Sequence, residues 1–302
     1  TGPSLPLEAF RERMTTLGRS AVVVGDQQAI KVHIHSDHPG QILEAALEYG
    51  ELQNVRIDNM SAQTRALLAD RQHQTQRAGG AAKPAGPAVV AVASGEGLAA
   101  ALRGMGASAI VPGGPTVNPS TEEILRIVER LPNREIILLP NDKNVIPTAR
   151  QVAALTDKQV RVVPSETIPQ AISALSAFNA DAALDKNAVE MTAALPLVRS
   201  LALTRATRAV ELDGLAVRQD EFIGLLDGAL HAAGPEPTAV IIRLLELAEA
   251  SAAELATLFV GEPADDALVT AVTTAIEARF PALTVEVAPG GQPHYHLIVA
   301  LE

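Results

Sequence analysis

The densest run of chemistry-bearing side chains is Lys31-Val-His-Ile-His-Ser-Asp-His-Pro-Gly40. On a strand, residues two apart point to one face, so His33 and His35 would project together while Val32 and Ile34 turn inward. Two neighbouring imidazoles can share a metal ion, relay protons or bind an anionic group. The plainer alternative is a polar strand face, since two His fall short of a complete metal-ligand set. A second group is Gly113-Gly-Pro-Thr-Val-Asn-Pro-Ser-Thr121. Gly113 and Gly114 allow close backbone approach, and Thr116, Asn118 and Ser120 bring hydroxyl and amide groups to an expected helix start. That combination suits a carboxylate or phosphate, although a tight turn with an ordinary cap would look the same. Two further loops add Asn141, Lys143 and Asn144, then Ser165 and Gln170. Ser94-Gly-Glu-Gly97 resembles a phosphate turn but lacks the full dinucleotide spacing, so it reads as a turn. Gly290-Gly-Gln-Pro-His-Tyr-His296 reads as a turn entering an edge strand, with His294 and His296 two apart.

The elements that must carry these groups can be read from pattern. Residues 1–76 form a short module: a helix over 7–17, a hairpin of 20–24 with 29–35, an amphipathic helix over 39–49 with Ile42, Leu43, Ala46 and Leu47 on one face, and a strand over 52–58. The Gly/Ala/Pro-rich stretch 77–87 reads as a linker. Over 88–179, apolar strands alternate with helices, which predicts a parallel sheet covered on both faces. The right-handed crossover rule then gathers the four strand-to-helix loops at one sheet edge, where open α/β sheets bind ligands. Residues 180–302 read as a mixed α/β subdomain facing the first across a cleft. The expected fold class is therefore α/β, a small α+β module followed by two subdomains.

Composition narrows the function. Apolar residues make up 47% and charged residues 20%, as in a globular chain. Aromatics at 2% and a net charge of −11 argue against nucleic-acid binding, which wants stacking platforms and a basic face. No apolar run approaches the roughly 20 residues of a membrane span, so no transmembrane segment is expected. No secretory signal is visible, and a cytoplasmic location is expected. Without cysteine the chain has no disulfide, thiolate ligand or Cys nucleophile. Charge is uneven: residues 209–302 hold 3 basic against 15 acidic side chains. Among them Glu211, Asp213, Asp220, Glu221, Asp227, Glu262, Asp265 and Asp266 form a candidate docking surface for a basic partner. A merely solvating acidic surface is the alternative.

Several phrases resemble one family. Gly25-Asp, Lys31-Val-His-Ile-His-Ser-Asp-His-Pro-Gly, Tyr49-Gly-Glu-Leu and Ile57-Asp-Asn-Met are similar to the middle domain of the bacterial fatty acid kinase A subunit, of the dihydroxyacetone-kinase-like (DhaL-type) predicted kinases. Gly113-Gly-Pro-Thr-Val-Asn-Pro-Ser-Thr, Leu139-Pro-Asn-Asp-Lys-Asn, Ile168-Pro-Gln and Gly290-Gly-Gln-Pro-His-Tyr resemble its C-terminal domain, which is related to DegV fatty-acid-binding proteins. The resemblance implies that ATP and magnesium bind a separate N-terminal domain, that this domain and the family's catalytic Cys precede residue 1, and that the chain alone is inactive. It implies that His33 and His35 are the essential His pair, with zinc there as a candidate, and that the middle domain dimerises. It also implies a DegV-like fatty-acid-binding protein as the docked partner. The loop reads Gly-Gly-Pro-Thr where relatives often have Gly-Gly-Gln-Thr. Two other readings stay open: a DegV-like module that holds an acyl chain itself, with Thr116, Asn118 and Ser165 near its carboxylate, and a metal hydrolase built on the paired histidines.

Overall fold

The computed structural model describes residues 7–17, 19–25, 30–35, 38–52, 86–114, 118–212 and 215–302. The chain divides into two compact units, Thr1–Ala81 and Ala82–Glu302.

In the first unit, helix α1 (Leu7–Leu17) precedes an antiparallel hairpin of β1 (Arg19–Gly25) and β2 (Ile30–His35), and α2 (Pro39–Leu47) follows. Pro39 suits the first turn of α2, where its missing N–H costs no hydrogen bond. Phe10 and Met14, one turn apart on α1, pack on Ile42, Ala45 and Ala46 of α2. The Phe10 ring stands edge-on to Tyr49 at 5.0 Å. The buried face of α2 differs from the expected one, since Ala45 is inside and Leu47 is 57% exposed. The small Ala45 and Ala46 let the two helices approach, which leaves the larger Leu47 outside. The strand expected over 52–58 and almost all of the expected linker lie outside the described residues.

The second unit opens with the predicted alternation: β3 (Ala88–Ala93), α3 (Glu96–Gly104), β4 (Ala107–Pro112), α4 (Thr121–Arg130), β5 (Glu135–Leu139), α5 (Ile146–Leu155), β6 (Gln159–Val162) and α6 (Ile168–Ser176). These strands form a parallel sheet in the order β4-β3-β5-β6. Both faces are dry. Ala88, Val90 and Val92 pack with Ile124, Val128 and Val152 of α4 and α5. Val89, Ala91 and Ala93 pack on the opposite face with Leu102, Ala171 and Leu175 of α3 and α6. A strand buried on both sides cannot alternate polar with apolar, which is why β3 reads Ala-Val-Val-Ala-Val-Ala.

Next comes α7 (Leu184–Ala194), which the sequence pattern did not reveal. Its buried stripe is Leu184, Asn187, Met191 and Ala194, so an amide interrupts the apolar thread. Asn187 is fully buried and closes the turn before its own helix: its Nδ2 donates to the carbonyls of Asn179 (2.8 Å) and Ala182 (3.1 Å), and its Oδ1 accepts from Asn179 N (2.8 Å). Asn187→Ala would orphan these three backbone groups, at a cost of about 3 kcal/mol. Urea unfolding of the whole chain should show it as a lower midpoint with unchanged slope.

The remaining strands are β7 (Arg199–Arg205), β8 (Val210–Leu212), β9 (Leu215–Val217), β10 (Phe222–Leu226), β11 (Ala229–Gly234), β12 (Leu255–Val260), β13 (Thr284–Pro289) and β14 (Tyr295–Leu301). Helices α8 (Pro237–Leu247) and α9 (Asp266–Arg279) lie between them. A mixed sheet runs β11-β10-β7-β14-β12-β13, and β8 pairs with β9 as a separate ribbon. β14 is therefore central, bonded to both β7 and β12, and not the expected edge strand. Its run Leu297–Leu301 is almost wholly buried, as a central strand requires. One face of the mixed sheet packs on α8 and α9 through Ile241, Leu244, Val272 and Ile276. The other packs on α3 and α6: Leu98 meets Val198, Phe259 and Ala300, with Ile168 and Ile172 against them. The cleft expected between the two subdomains is filled by this shared helix layer.

Candidate functional site

The loops that leave the parallel strands do converge. Ser94 Oγ donates to Gly113 O at 2.8 Å, tying the first loop to the second. Asn141 Nδ2 donates to Val92 O at 2.7 Å, tying the third loop to β3. Ser165 Oγ donates to Asn141 Oδ1 at 2.6 Å and accepts from Asn141 N at 3.2 Å, tying the fourth to the third. Asn141 holds a left-handed backbone (φ 58°), which Asn tolerates better than most residues.

These bonds decide which side chains can meet a ligand. Ser165 is 0% exposed and already both donates and accepts. It belongs to the scaffold, and the reading that placed it near an acyl carboxylate fails on this geometry. Asn141 is buried in the same network. Gln170 Oε1 accepts from Glu166 N at 2.7 Å. Gly113 is buried, whereas Asn118, Ser120, Lys143 and Asn144 are exposed. Thr116 lies outside the described residues.

At each of the four helix starts the chain itself bonds at least one N–H. At α3, Leu98 N donates to Gly290 O at 2.9 Å. At α4, the predicted capping box forms: Ser120 N and Oγ both donate to Glu123 at 2.8 Å, and these bonds hold the Glu123 carboxyl below the usual range. Before α5, Asp142 accepts from Asn144 N at 2.7 Å through its carboxylate and from Val145 and Ile146 N through its carbonyl. At α6, Thr167 Oγ1 accepts from Gln170 N. Carboxylates stand at two of the four starts, Glu123 in the first turn of α4 and Asp142 just ahead of α5, and they would repel a carboxylate or phosphate ligand.

The first loop serves yet another purpose. A Cβ at Gly95 would stand 2.5 Å from Gly290 O, and one at Gly97 would overlap the Pro289 carbonyl. Ser94-Gly-Glu-Gly97 is thus a turn, as expected, and its glycines admit the segment that leads into β14.

That segment links the loops to the acidic residues. Phe222 pairs with Arg205, Tyr295 with Thr204 and Val260 with Leu297, so one end of the mixed sheet carries Asp220, Glu221, Glu262, Asp265 and Asp266 together with residues 290–294. Glu262 N donates to Gln292 O at 3.0 Å, and Gly261 N to His296 O at 2.9 Å. Of these acids, Asp265 caps α9 through Leu268 N, and Glu221 accepts from Arg218 N. Asp227 does not join the group. It lies at the opposite end of β10, bonded to Arg199 Nε (2.7 Å) and Ser200 N (2.9 Å). Glu211 is on the β8–β9 ribbon, and Asp213 is outside the described residues. Sequence reading passed over Asp142 and Tyr295. Tyr295 is half-buried, and burial, then the nearby Asp142, raises its pKa. The phrase containing Gly290 and Tyr295 was the available signal.

In the first unit, His33 and His35 are two apart on β2, in register with Val22 and Arg19. Neither β1 nor the rest of β2 contains a further His, Cys, Asp or Glu, and the turn that joins them lies outside the described residues. Among the described residues, no group of three such side chains could hold a metal ion.

Residues 88–302 match the C-terminal domain model of the FakA-like fatty acid kinase family, and residues 3–67 match the model of its middle domain. The chain belongs to the FakA-like fatty acid kinase family. It is 33% identical to uncharacterised proteins of Staphylococcus aureus strains USA300 and NCTC 8325, over 98% of its own length and 53% of theirs. It thus spans about half the length of these relatives. In fold it is similar to DegV, a fatty acid binding protein from Bacillus subtilis (TM-score 0.52, 11% identity, 72% of this chain and 99% of that one). It is also similar to the DegV family protein Cg2579 of Corynebacterium glutamicum (TM-score 0.52, 15% identity, 73% and 97%). These likenesses agree with the parallel sheet and the mixed sheet of the second unit. Among the described residues, no helix is long and apolar enough to cross a membrane.

Proposed function

We propose that this chain is the part of an acyl kinase that docks a fatty-acid-carrying, DegV-like protein and lends His33 and His35 to phosphorylation of the fatty-acid carboxylate. The observation that carries the reading is the loop edge itself. Each helix start has N–H groups bonded by the chain itself, the Glu123 and Asp142 carboxylates stand at two of them, and five acidic residues gather at the adjoining sheet end. Such a surface repels a free anion and attracts a basic protein. Phosphoryl transfer calls mainly for positioning and charge neutralisation, which two imidazoles can contribute by binding phosphoryl oxygens or relaying a proton. Of the side chains that bind zinc, the two hairpin strands carry His33 and His35 alone, short of the four ligands such an ion takes. In this reading ATP and magnesium bind outside these residues, and this chain by itself should not turn over ATP. A homodimer through the first unit and a cytoplasmic location complete the reading. A binding module with its own acyl ligand is less well supported, because Ser165 is buried with its hydroxyl bonded to Asn141.

The direct test mixes the full chain with the DegV-like fatty-acid-binding protein of the same organism and follows sedimentation at low and high salt. A complex that weakens as salt rises is the expected result. No complex at any salt would leave the acidic end as a solvated surface. A monomer by sedimentation of the chain alone would remove the dimer from the proposal.

A further inference from the structure

His296 lies inside the acidic end, 7% exposed, and its Nδ1 has no hydrogen-bond partner. It is the extra residue of a bulge, because Tyr295 pairs with Thr204 and Leu297 with Leu203. The imidazole stands edge-on to Phe222 at 5.3 Å, and the Arg205 guanidinium lies 4.0 Å over the same ring. The charged groups facing it are Arg205 from β7 and Asp265 ahead of α9, and Asp265 already accepts from Leu268 N. Its neighbour Tyr295 faces Asp142.

A neutral imidazole fits these surroundings, with Nδ1 as a bare acceptor. A proton would place an N–H without an acceptor, and a second cation beside Arg205, in a site with little water. The backbone of the same segment holds the acidic end in place. His296 O accepts from Gly261 N, Gln292 O from Glu262 N, and Gly290 O from Leu98 N.

We propose that His296 makes the acidic docking end pH-gated: neutral, it locks residues 290–296 in place, and protonated, it leaves its site and the end loosens with it. The consequence for a partner rests on the docking reading above, but the loosening does not. Burial, then Arg205, lowers the pKa of His296 from the ordinary value of 6.5. The opened segment therefore binds more protons than the closed one below about pH 6.5. The stabilisation is complete above that pH and is lost as pH falls toward the lower, closed-state value.

Hydrogen exchange of peptides covering 95–98 and 289–297 in the full chain, corrected for intrinsic rates, tests the lock. Between pH 7.5 and 5.5 the expected change is faster exchange by up to about tenfold, the limit set by the one pH unit between the ordinary imidazole value and pH 5.5. It should appear in the wild type and in a control with the exposed His294→Gln, and vanish in His296→Gln. An equal change in His296→Gln overturns the proposal. Should that variant not fold, the His296 ring is titrated by NMR in the wild type, and a pKa at or above 6.5 overturns it equally. Sedimentation with the DegV-like protein at both pH values then tests the gate. Binding lost at pH 5.5 by the wild type and kept by His296→Gln is the expected result. Loosening with unchanged binding sinks the gate and leaves docking intact. Absence of binding at both pH values overturns docking, and the gate with it.

Discussion

Gly97→Ala should be among the most destabilising single substitutions in the second unit, costing about 3 kcal/mol. The added methyl would overlap the Pro289 carbonyl oxygen and come within 2.9 Å of Gly290 N. Both contacts are backbone atoms of the segment between β13 and β14, so no side chain can swing aside. Relief would require shifting that segment, which Leu98 N and the Val260 carbonyl hold by hydrogen bonds to Gly290 and Gly291. A Gly104→Ala control separates this clash from the ordinary effect of removing a glycine. Gly104 ends the same helix, and a Cβ there meets nothing within 4 Å. It should gain up to about 1 kcal/mol from helix propensity and a less flexible unfolded chain. The two substitutions in one helix should thus shift the urea midpoint in opposite directions. Equal midpoints for Gly97→Ala and wild type would mean that the seam between the two sheets is loose.

This seam marks the limit of what the sequence discloses. The parallel sheet was legible because strands buried on both faces leave unbroken apolar runs, and because helices between them carry signals such as Ser120 with Glu123. The loop convergence followed from topology alone. What pattern could not show was the use of each polar group. Asn118 and Ser165 look equally suited to a ligand in the sequence, yet one is exposed and the other is consumed by Asn141. Hydrogen bonds of this kind join residues 24 to 49 positions apart and leave no periodic trace. The helix α7 was missed for a related reason, since the buried Asn187 replaces an apolar residue where the stripe needs one. β14 was misplaced to an edge because its entry, Gly290 to His294, is rich in turn residues. Its central position depends on pairing with β7, nearly a hundred residues earlier.

The same limit applies to charge. A count over 209–302 says that the tail is acidic, but register decides which acids act together. Asp220 and Asp227 flank one strand at opposite ends, and only the first shares an end with Glu262 and Asp266. His296 shows the reverse case, a residue whose type was visible but whose burial and missing partner were not. The chemistry of this end is therefore set by four strands meeting, β10, β7, β14 and β12, not by any one segment.

If that end is the docking surface, charge reversal there must act locally. Glu262→Lys with Asp266→Lys leaves the Asp265 cap in place and changes two exposed side chains. An exposed ion pair is worth up to about 1 kcal/mol, and replacing two attractions by repulsions should cost about 2 kcal/mol, or roughly 30-fold in affinity for the DegV-like partner at low salt. The control is Asp157→Lys with Asp181→Lys, which changes net charge by the same amount. Those two exposed acids lie near the amino ends of β6 and β3, since Asp157 precedes β6 and Asp181 follows Ala180, whose carbonyl packs against Gly86. A docking face predicts a large loss for the first pair and a small one for the second, with the difference shrinking as salt shortens the range of the field. Equal losses from both pairs would mean that only net charge matters, and that the partner is drawn to the chain without a defined acidic face.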